Sequence, residues 1–179
     1  MTEWSTSSTG TTTARSISSG PATTWSRTSR RPALPYLRDT IGNAGALVIG
    51  RRLFDYTQGW GGSHPIGVPV FVVTHSVPEG WPRANAPFTI VLDGVESAVT
   101  QASAVAGDKT VGVAGPNVIQ QCLNAGLLDE LWIELVPVLL GEGIRFFDNL
   151  TGPPVMLENP TVIEGDRVTH LMYKVRKLA

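Results

Sequence analysis

From residue 32 onward, short apolar runs alternate with segments that have the spacing of amphipathic helices. Four runs predict buried strands, residues 46–49, 68–74, 88–92 and 110–114. Between and after them, residues 93–108 and 116–126 repeat apolar side chains three or four positions apart, which predicts helices. Strands that alternate with helices form a mostly parallel sheet covered on both faces. We therefore predict a three-layer α/β domain.

The end of the chain follows a different pattern. Residues 130–140 predict a long strand, and residues 155–175 predict two strands around a turn at Glu164-Gly165-Asp166. Strands joined by a tight turn are antiparallel. We expect this C-terminal antiparallel pair at one edge of the sheet, which makes the sheet mixed.

The composition changes near residue 32, and we place the domain boundary there. Residues 1–31 contain seventeen Ser or Thr residues, four Arg and one acid, Glu3. Such a segment cannot bury enough apolar surface to offset its loss of conformational entropy. We predict a disordered or loosely draped arm over residues 1–31, followed by one domain over residues 32–179. A short helix over residues 32–41 would open the domain.

Charge and cysteine content exclude several classes of function. The formal net charge of −1 gives no electrostatic basis for binding nucleic acid or a membrane surface. The single cysteine, Cys122, cannot form an internal disulfide or a cysteine-based metal cluster. No apolar run approaches the ~18 residues of a membrane-spanning helix. We therefore expect a cytoplasmic protein with a small-molecule substrate and no metal.

Two junctions that follow predicted strands suit a phosphate group. Gly50-Arg51-Arg52 ends the first strand, and Gly115-Pro116-Asn117 ends the fourth and opens a helix. Ligands of open α/β sheets bind outside the carboxyl ends of the strands. Helix N-termini there offer free N–H groups, and arginine offers a fork of donors for phosphate oxygens. The alternative at each junction is an ordinary turn, in which the two arginines of the first junction are simply solvated.

Several other polar residues are weaker candidates. Thr74-His75-Ser76 follows the second strand, where it would contact a ribose or a 2′-phosphate or simply cap the chain. His64 lies in a glycine-rich loop that could cover a site, whereas His170 alternates with apolar residues and is predicted to be structural. The remaining candidate is Asp129-Glu130, either a pair of catalytic carboxylates or the start of a strand. No residue is assigned as the catalytic group.

Four segments together resemble the bacterial dihydrofolate reductase-like family, which shares its domain with the C-terminal reductase of riboflavin biosynthesis. They are "GALVIGRRLFD", "PVFVVTH", the long segment from "AGDKTVGVAGPNVIQQ" to "LLGEGIRFFDNL", and "VTHLMYKV". The resemblance implies the dihydrofolate reductase fold, NADPH as hydride donor and a homodimer.

The resemblance also implies roles for the three junctions. The residues matching Gly50, Arg51 and Arg52 would contact cofactor phosphate. Those matching Thr74, His75 and Ser76 would lie beside the adenosine ribose and its 2′-phosphate. The pyrophosphate would rest on the segment Ala114, Gly115, Pro116, Asn117 and Val118. The segment 139–147 would lie towards the substrate or at a dimer contact.

One family feature has no match here. Family members usually begin with a strand and an "SLDG"-like turn, in whose place this chain has its Ser/Thr-rich arm. The resemblance then implies that a central strand is missing and that apolar surface is exposed unless a partner covers it.

The function expected from these features is an NADPH-dependent reduction of a pterin- or pyrimidine-like heterocycle. It would be similar to riboflavin-pathway reductase, which acts on 5-amino-6-(5-phosphoribosylamino)uracil, or to dihydrofolate reductase. One alternative is a nucleotide-binding or dimeric structural protein of the same fold without turnover. Another is an NADPH reductase of unrelated carbonyls or imines.

Overall fold

A computed structural model describes residue 38 and residues 41–176 of the chain. The described elements are β1 (Ala44–Gly50), α1 (Arg51–Tyr56), a 3-10 segment (Gln58–Gly62), β2 (Val70–Val73), β3 (Phe88–Val91), α2 (Val95–Ala106), β4 (Thr110–Ala114), α3 (Pro116–Asn124), β5 (Glu130–Leu135), β6 (Thr161–Gly165) and β7 (Val168–Lys174). The predicted arm over residues 1–31 lies outside the described residues. So does most of the predicted helix 32–41, of which Arg38 and Ile41 are helical.

The first four strands form a parallel sheet in the order β3-β2-β1-β4. Its interior strands are almost fully buried because their β-branched side chains face packed elements on both sides. Val48 and Ala46 on β1 pack with Ala98 and Ala102 of α2 in one core cluster. A second cluster on the opposite face joins Ile49 to aromatic residues of α1 and β3. The predicted mostly parallel, two-sided arrangement is confirmed.

The last three strands form an antiparallel sheet in the order β5-β7-β6. The predicted C-terminal strand pair is confirmed as β6 and β7, joined by a turn at Asp166 and Arg167. Helix α3 connects this sheet to the rest, because Ile119 and Leu123 pack against Leu131 of β5. In the described part of the chain, β4 and β5 do not pair, so the sheet is divided between them.

The long strand predicted over residues 130–140 is too long. Strand β5 ends at Leu135, whose partner Thr169 is the second residue of β7, so only Val168 of the partner strand lies beyond this point. Pro137 follows and has no backbone N–H to donate. Residues 136–140 are exposed. Among the described residues, no helix has the length and apolar composition needed to cross a membrane.

Candidate functional site

The three predicted junctions lie side by side at one edge of the parallel sheet. Strand β1 is flanked by β2 and β4, and the register pairs Gly50 with Val73 and Ile49 with Ala114. Because the strands are parallel, their carboxyl ends open on the same side. The structure therefore brings to one end of the sheet the three segments that carry the predicted cofactor residues, although they come from separate parts of the sequence.

Arg51 links the first junction to the second. Its Nε donates hydrogen bonds to both carboxylate oxygens of Asp55, at 2.8 and 2.9 Å. One terminal nitrogen donates to the backbone carbonyl of Ser76 at 3.1 Å. The guanidinium is partly exposed, and its position between α1 and the loop after β2 places a fixed positive charge at this edge of the sheet. The neighbouring Arg52 is exposed.

The loop after β2 is held by its own hydroxyl group. Thr74 is buried, its backbone N–H donates to the carbonyl of Val91, and its Oγ1 donates to the carbonyl of Ser76 at 3.0 Å. Its Oγ1 also lies 3.4 Å from the backbone N–H of Ser76. The side chains of His75 and Ser76 are exposed. This loop therefore presents polar groups to solvent next to Arg51.

The third junction approaches the first through a glycine. A Cβ added at Gly50 would lie only 2.9 Å from Cγ2 of Val118, a buried residue in the first turn of α3. Contacts this close force a neighbour to move. The absence of a side chain at position 50 thus lets α3 pack against the end of β1.

The start of α3 combines free backbone donors with open space. Gly115 has φ of 100° and occupies the N-cap position, and no side chain caps the helix. A Cβ at position 115 would meet nothing within 4 Å, so the space in front of the helix is open. Pro116 occupies the first turn, and Asn117 beside it is exposed. An uncapped N-terminus of a nine-residue helix is a favourable place for an anion.

The glycine-rich loop after α1 is tightly coiled. Gln58, Gly59, Trp60 and Gly61 all have positive φ, a conformation that costs free energy for residues other than glycine. The Trp60 and His64 rings are packed edge to face with centroids 4.4 Å apart. Burial lowers the pKa of His64 from its usual 6.5. The neutral imidazole is thus favoured in this loop.

The contacts and positions of the weaker candidates fit structural roles. His170 is buried on β7, as predicted, and contacts Oε2 of Glu134 on the adjacent strand. Glu130 is the first residue of β5. Burial raises the pKa of the Cys122 thiol to about 11, so the thiolate is disfavoured. Within the described ranges, no group of three or more His, Cys, Asp or Glu residues could hold a metal ion.

Two residues with clear roles were not recognised from the sequence. Asp55 binds Arg51, and the only signal of this contact in the sequence was the i,i+4 spacing of opposite charges. Gln120 is buried and donates to the carbonyls of Arg145 and Phe146, which fixes the segment after β5 on α3. No sequence pattern predicts a contact between residues 25 positions apart.

Known structures share this fold. One is a Shewanella protein assigned provisionally to riboflavin biosynthesis, with a TM-score of 0.63 and 22% identity over 84% of this chain and 83% of that chain. Another is dihydrofolate reductase from Enterococcus faecalis complexed with NADP(H) and RAB-propyl, with a TM-score of 0.53 and 19% identity over 80% and 81%. The fold is that of the dihydrofolate reductases. No protein-family model and no curated protein matches the sequence.

Proposed function

We propose that this protein is an NADPH-dependent reductase of a pterin- or pyrimidine-like heterocycle. The observation that carries the proposal is the meeting of three polar junctions at one sheet edge, with Arg51 beside Ser76 and the open N-terminus of α3 next to them. The similarity in fold to a dihydrofolate reductase complexed with NADP(H) supports the same assignment.

The residues at this edge fit the charged parts of a dinucleotide. The cradle at Gly115 has room for a group that a side chain would otherwise fill, and the uncapped N–H groups of α3 would hold the pyrophosphate. Arg51, held by Asp55, would bind the 2′-phosphate, and the Thr74 loop would lie at the adenosine ribose.

The chemistry would be divided between cofactor and protein. NADPH supplies a hydride when it is bound. The protein's part is placement, because a correctly oriented donor and acceptor react far faster than free partners. No described residue is assigned as the proton donor, and a water could deliver the proton to the reduced heterocycle.

A titration with NADPH and, separately, NADH tests the cofactor assignment. Binding is followed by tryptophan fluorescence, with Trp60 in the loop after α1 among the reporters. We expect saturable quenching and a preference for NADPH, because only NADPH carries the 2′-phosphate for Arg51. The absence of quenching by both nucleotides would refute the proposal.

Turnover is tested separately by following NADPH absorbance with pterins, aminopyrimidines and simple carbonyl compounds as substrates. Oxidation of NADPH by a heterocycle supports the proposed substrate class. Oxidation by carbonyl compounds alone indicates a different reductase. If NADPH binds and no substrate is reduced, the alternative of a nucleotide-binding protein without turnover replaces the reductase.

We also propose that the protein is a homodimer. The segment after β5 exposes several large apolar side chains, among them Leu139 with an exposed fraction of 100% and Leu140 with 76%. Apolar side chains grouped on a surface often mark an interface. Sedimentation at micromolar concentration should give twice the monomer mass, and a Leu139→Asp, Leu140→Asp variant should be monomeric. A monomeric unmodified protein would exclude the dimer.

A further inference from the structure

A buried amide side chain attaches the segment after β5 to α3. Gln120 is 3% exposed, and its Nε2 donates hydrogen bonds to the carbonyls of Arg145 at 3.2 Å and Phe146 at 3.0 Å. Its Oε1 accepts a hydrogen bond from Nδ2 of Asn149 at 3.1 Å. A buried polar group whose donors and acceptor are all bonded holds its partners in one arrangement. The backbone at Arg145 is therefore fixed against α3, although its side chain is exposed.

Contacts further along the helix show in which direction the segment runs. Asn124 lies one turn after Gln120 on the same face of α3. Its side chain bonds to the carbonyl of Asn149 and to the backbone N–H of Thr151. Earlier residues of the segment thus contact Gln120 and later ones contact Asn124. The chain before Arg145 therefore approaches from the N-terminal end of α3.

The point of attachment is close to the open end of the helix. Pro116 is the first residue of α3 and Gln120 is the fifth, so they lie about 6 Å apart along the axis and share a face. Val118, which approaches Gly50, is two positions from Gln120, a rotation of about 200° around the helix. The N-terminus of α3 is thus flanked by the end of β1 on one side and by Arg145 on the other.

The side chain of Arg145 suits a phosphate group. Residues 139–145 line a shallow depression at the surface, and the guanidinium offers a fork of N–H donors that matches phosphate oxygens. Of the two acids closest in sequence, Asp148 accepts a hydrogen bond from the backbone N–H of Asn149, and Glu142 is exposed. In the part of the chain that the structure describes, no carboxylate forms an ion pair with Arg145.

We propose that Arg145 is a further cofactor-binding residue, which binds the pyrophosphate of NADPH together with the N-terminus of α3, and that Gln120 positions it. This inference rests on the proposed function, in which α3 holds the pyrophosphate. The helix N-terminus offers only about half a positive charge, whereas each phosphate of the cofactor is a full anion. Arg145 supplies a full positive charge from the side of α3 that faces away from Gly50.

Titrations with NADPH and NADH distinguish Arg145 from Arg51, because both nucleotides contain the pyrophosphate and only NADPH contains the 2′-phosphate. We expect Arg145→Gln to weaken the binding of both nucleotides at least roughly tenfold, the scale of one hydrogen bond between charged groups. Arg176→Gln, at another exposed arginine, is the matched control and should leave both affinities unchanged. Unchanged affinities in Arg145→Gln, or a loss for NADPH alone, would overturn the assignment to the pyrophosphate.

The unmodified protein separates this inference from the proposed function. If it binds neither nucleotide, the proposed function fails, and the role of Arg145 fails with it. If it binds both nucleotides and Arg145→Gln binds them equally well, only the role of Arg145 is refuted.

A double-mutant comparison tests whether Gln120 acts through Arg145. Gln120→Met fills the buried space with an adaptable apolar side chain but removes all three hydrogen bonds. We expect weaker binding of both nucleotides, and no further loss when Gln120→Met is added to Arg145→Gln. Additive losses would refute the positioning role. Asn124→Ala, which frees the same segment at an exposed position, gives the same comparison if Gln120→Met does not fold.

Discussion

Arg51 and Asp55 lie one turn apart on α1, and the arginine Nε bonds to both carboxylate oxygens while its terminal nitrogen bonds to Ser76. A flexible surface arginine is thereby held in one orientation beside the loop after β2. Both partners are substantially exposed, so the pair contributes little to stability. Its value lies in placing a positive charge at the candidate phosphate site.

Replacing the arginine should weaken cofactor binding. We expect Arg51→Ala to reduce NADPH affinity by roughly 1.5–3 kcal/mol, the scale of a hydrogen bond to a charged group. NADH affinity should change much less, because NADH lacks the 2′-phosphate. Fluorescence titration measures both affinities, and Arg176→Ala, at an exposed arginine far along the chain, is the control. Unchanged NADPH affinity would remove Arg51 from the site.

Replacing the carboxylate tests whether Arg51 needs to be held. Asp55→Asn keeps the size of the side chain but removes its charge, and we expect a loss of roughly 0.5–1 kcal/mol in NADPH affinity. The alternative result is informative: tighter NADPH binding would mean that Asp55 competes with the phosphate for Arg51. Asp108→Asn, at an exposed aspartate that precedes β4 and so lies at the opposite end of the sheet, should leave the titration unchanged.

A methyl group at position 50 should disturb the contact between the first junction and α3. Gly50→Ala places a Cβ 2.9 Å from Cγ2 of Val118, and overpacking of this kind costs about 1–3 kcal/mol in the free energy of unfolding. Gly143→Ala is the matched control, because its Cβ would meet nothing within 4 Å. Urea unfolding compares the two variants, and equal midpoints would show that α3 moves aside freely.

The partly buried imidazole of His64 should make the fold sensitive to mild acid. Burial lowers its pKa from 6.5. Just below pH 6.5, His64 therefore binds a proton more readily in the unfolded chain than in the folded protein. Stability should therefore fall as the pH drops below about 6.5, and it should be fully present above that value. Urea unfolding at about pH 7.5 and about pH 5.5 measures this loss of stability. The loss between the two pH values should be smaller in His64→Gln than in the unmodified protein. If the loss of stability between the two pH values is the same in both proteins, groups other than His64 cause the acid sensitivity.

Most of the local structure could be predicted from sequence. The apolar run of β4, the proline and glycine around α3, and the helical spacing of α2 each depend on neighbouring residues, and the observed bounds agree closely with the predicted ones. The end of β5 was misplaced, because a strand ends where its partner does, and Thr169 lies 34 positions away from Leu135.

The sequence by itself determined that strands and helices alternate and that a glycine ends β1 and follows β4, because these features depend on local backbone preferences. Only the tertiary structure decided that Arg51 would meet Ser76, that Gln120 would bind the segment after β5, and that β4 and β5 would face each other across a cavity. Those contacts depend on which strand edges pair and how helices pack over them. Strand pairing and helix packing are in turn determined by burial and hydrogen bonding between residues far apart in the chain.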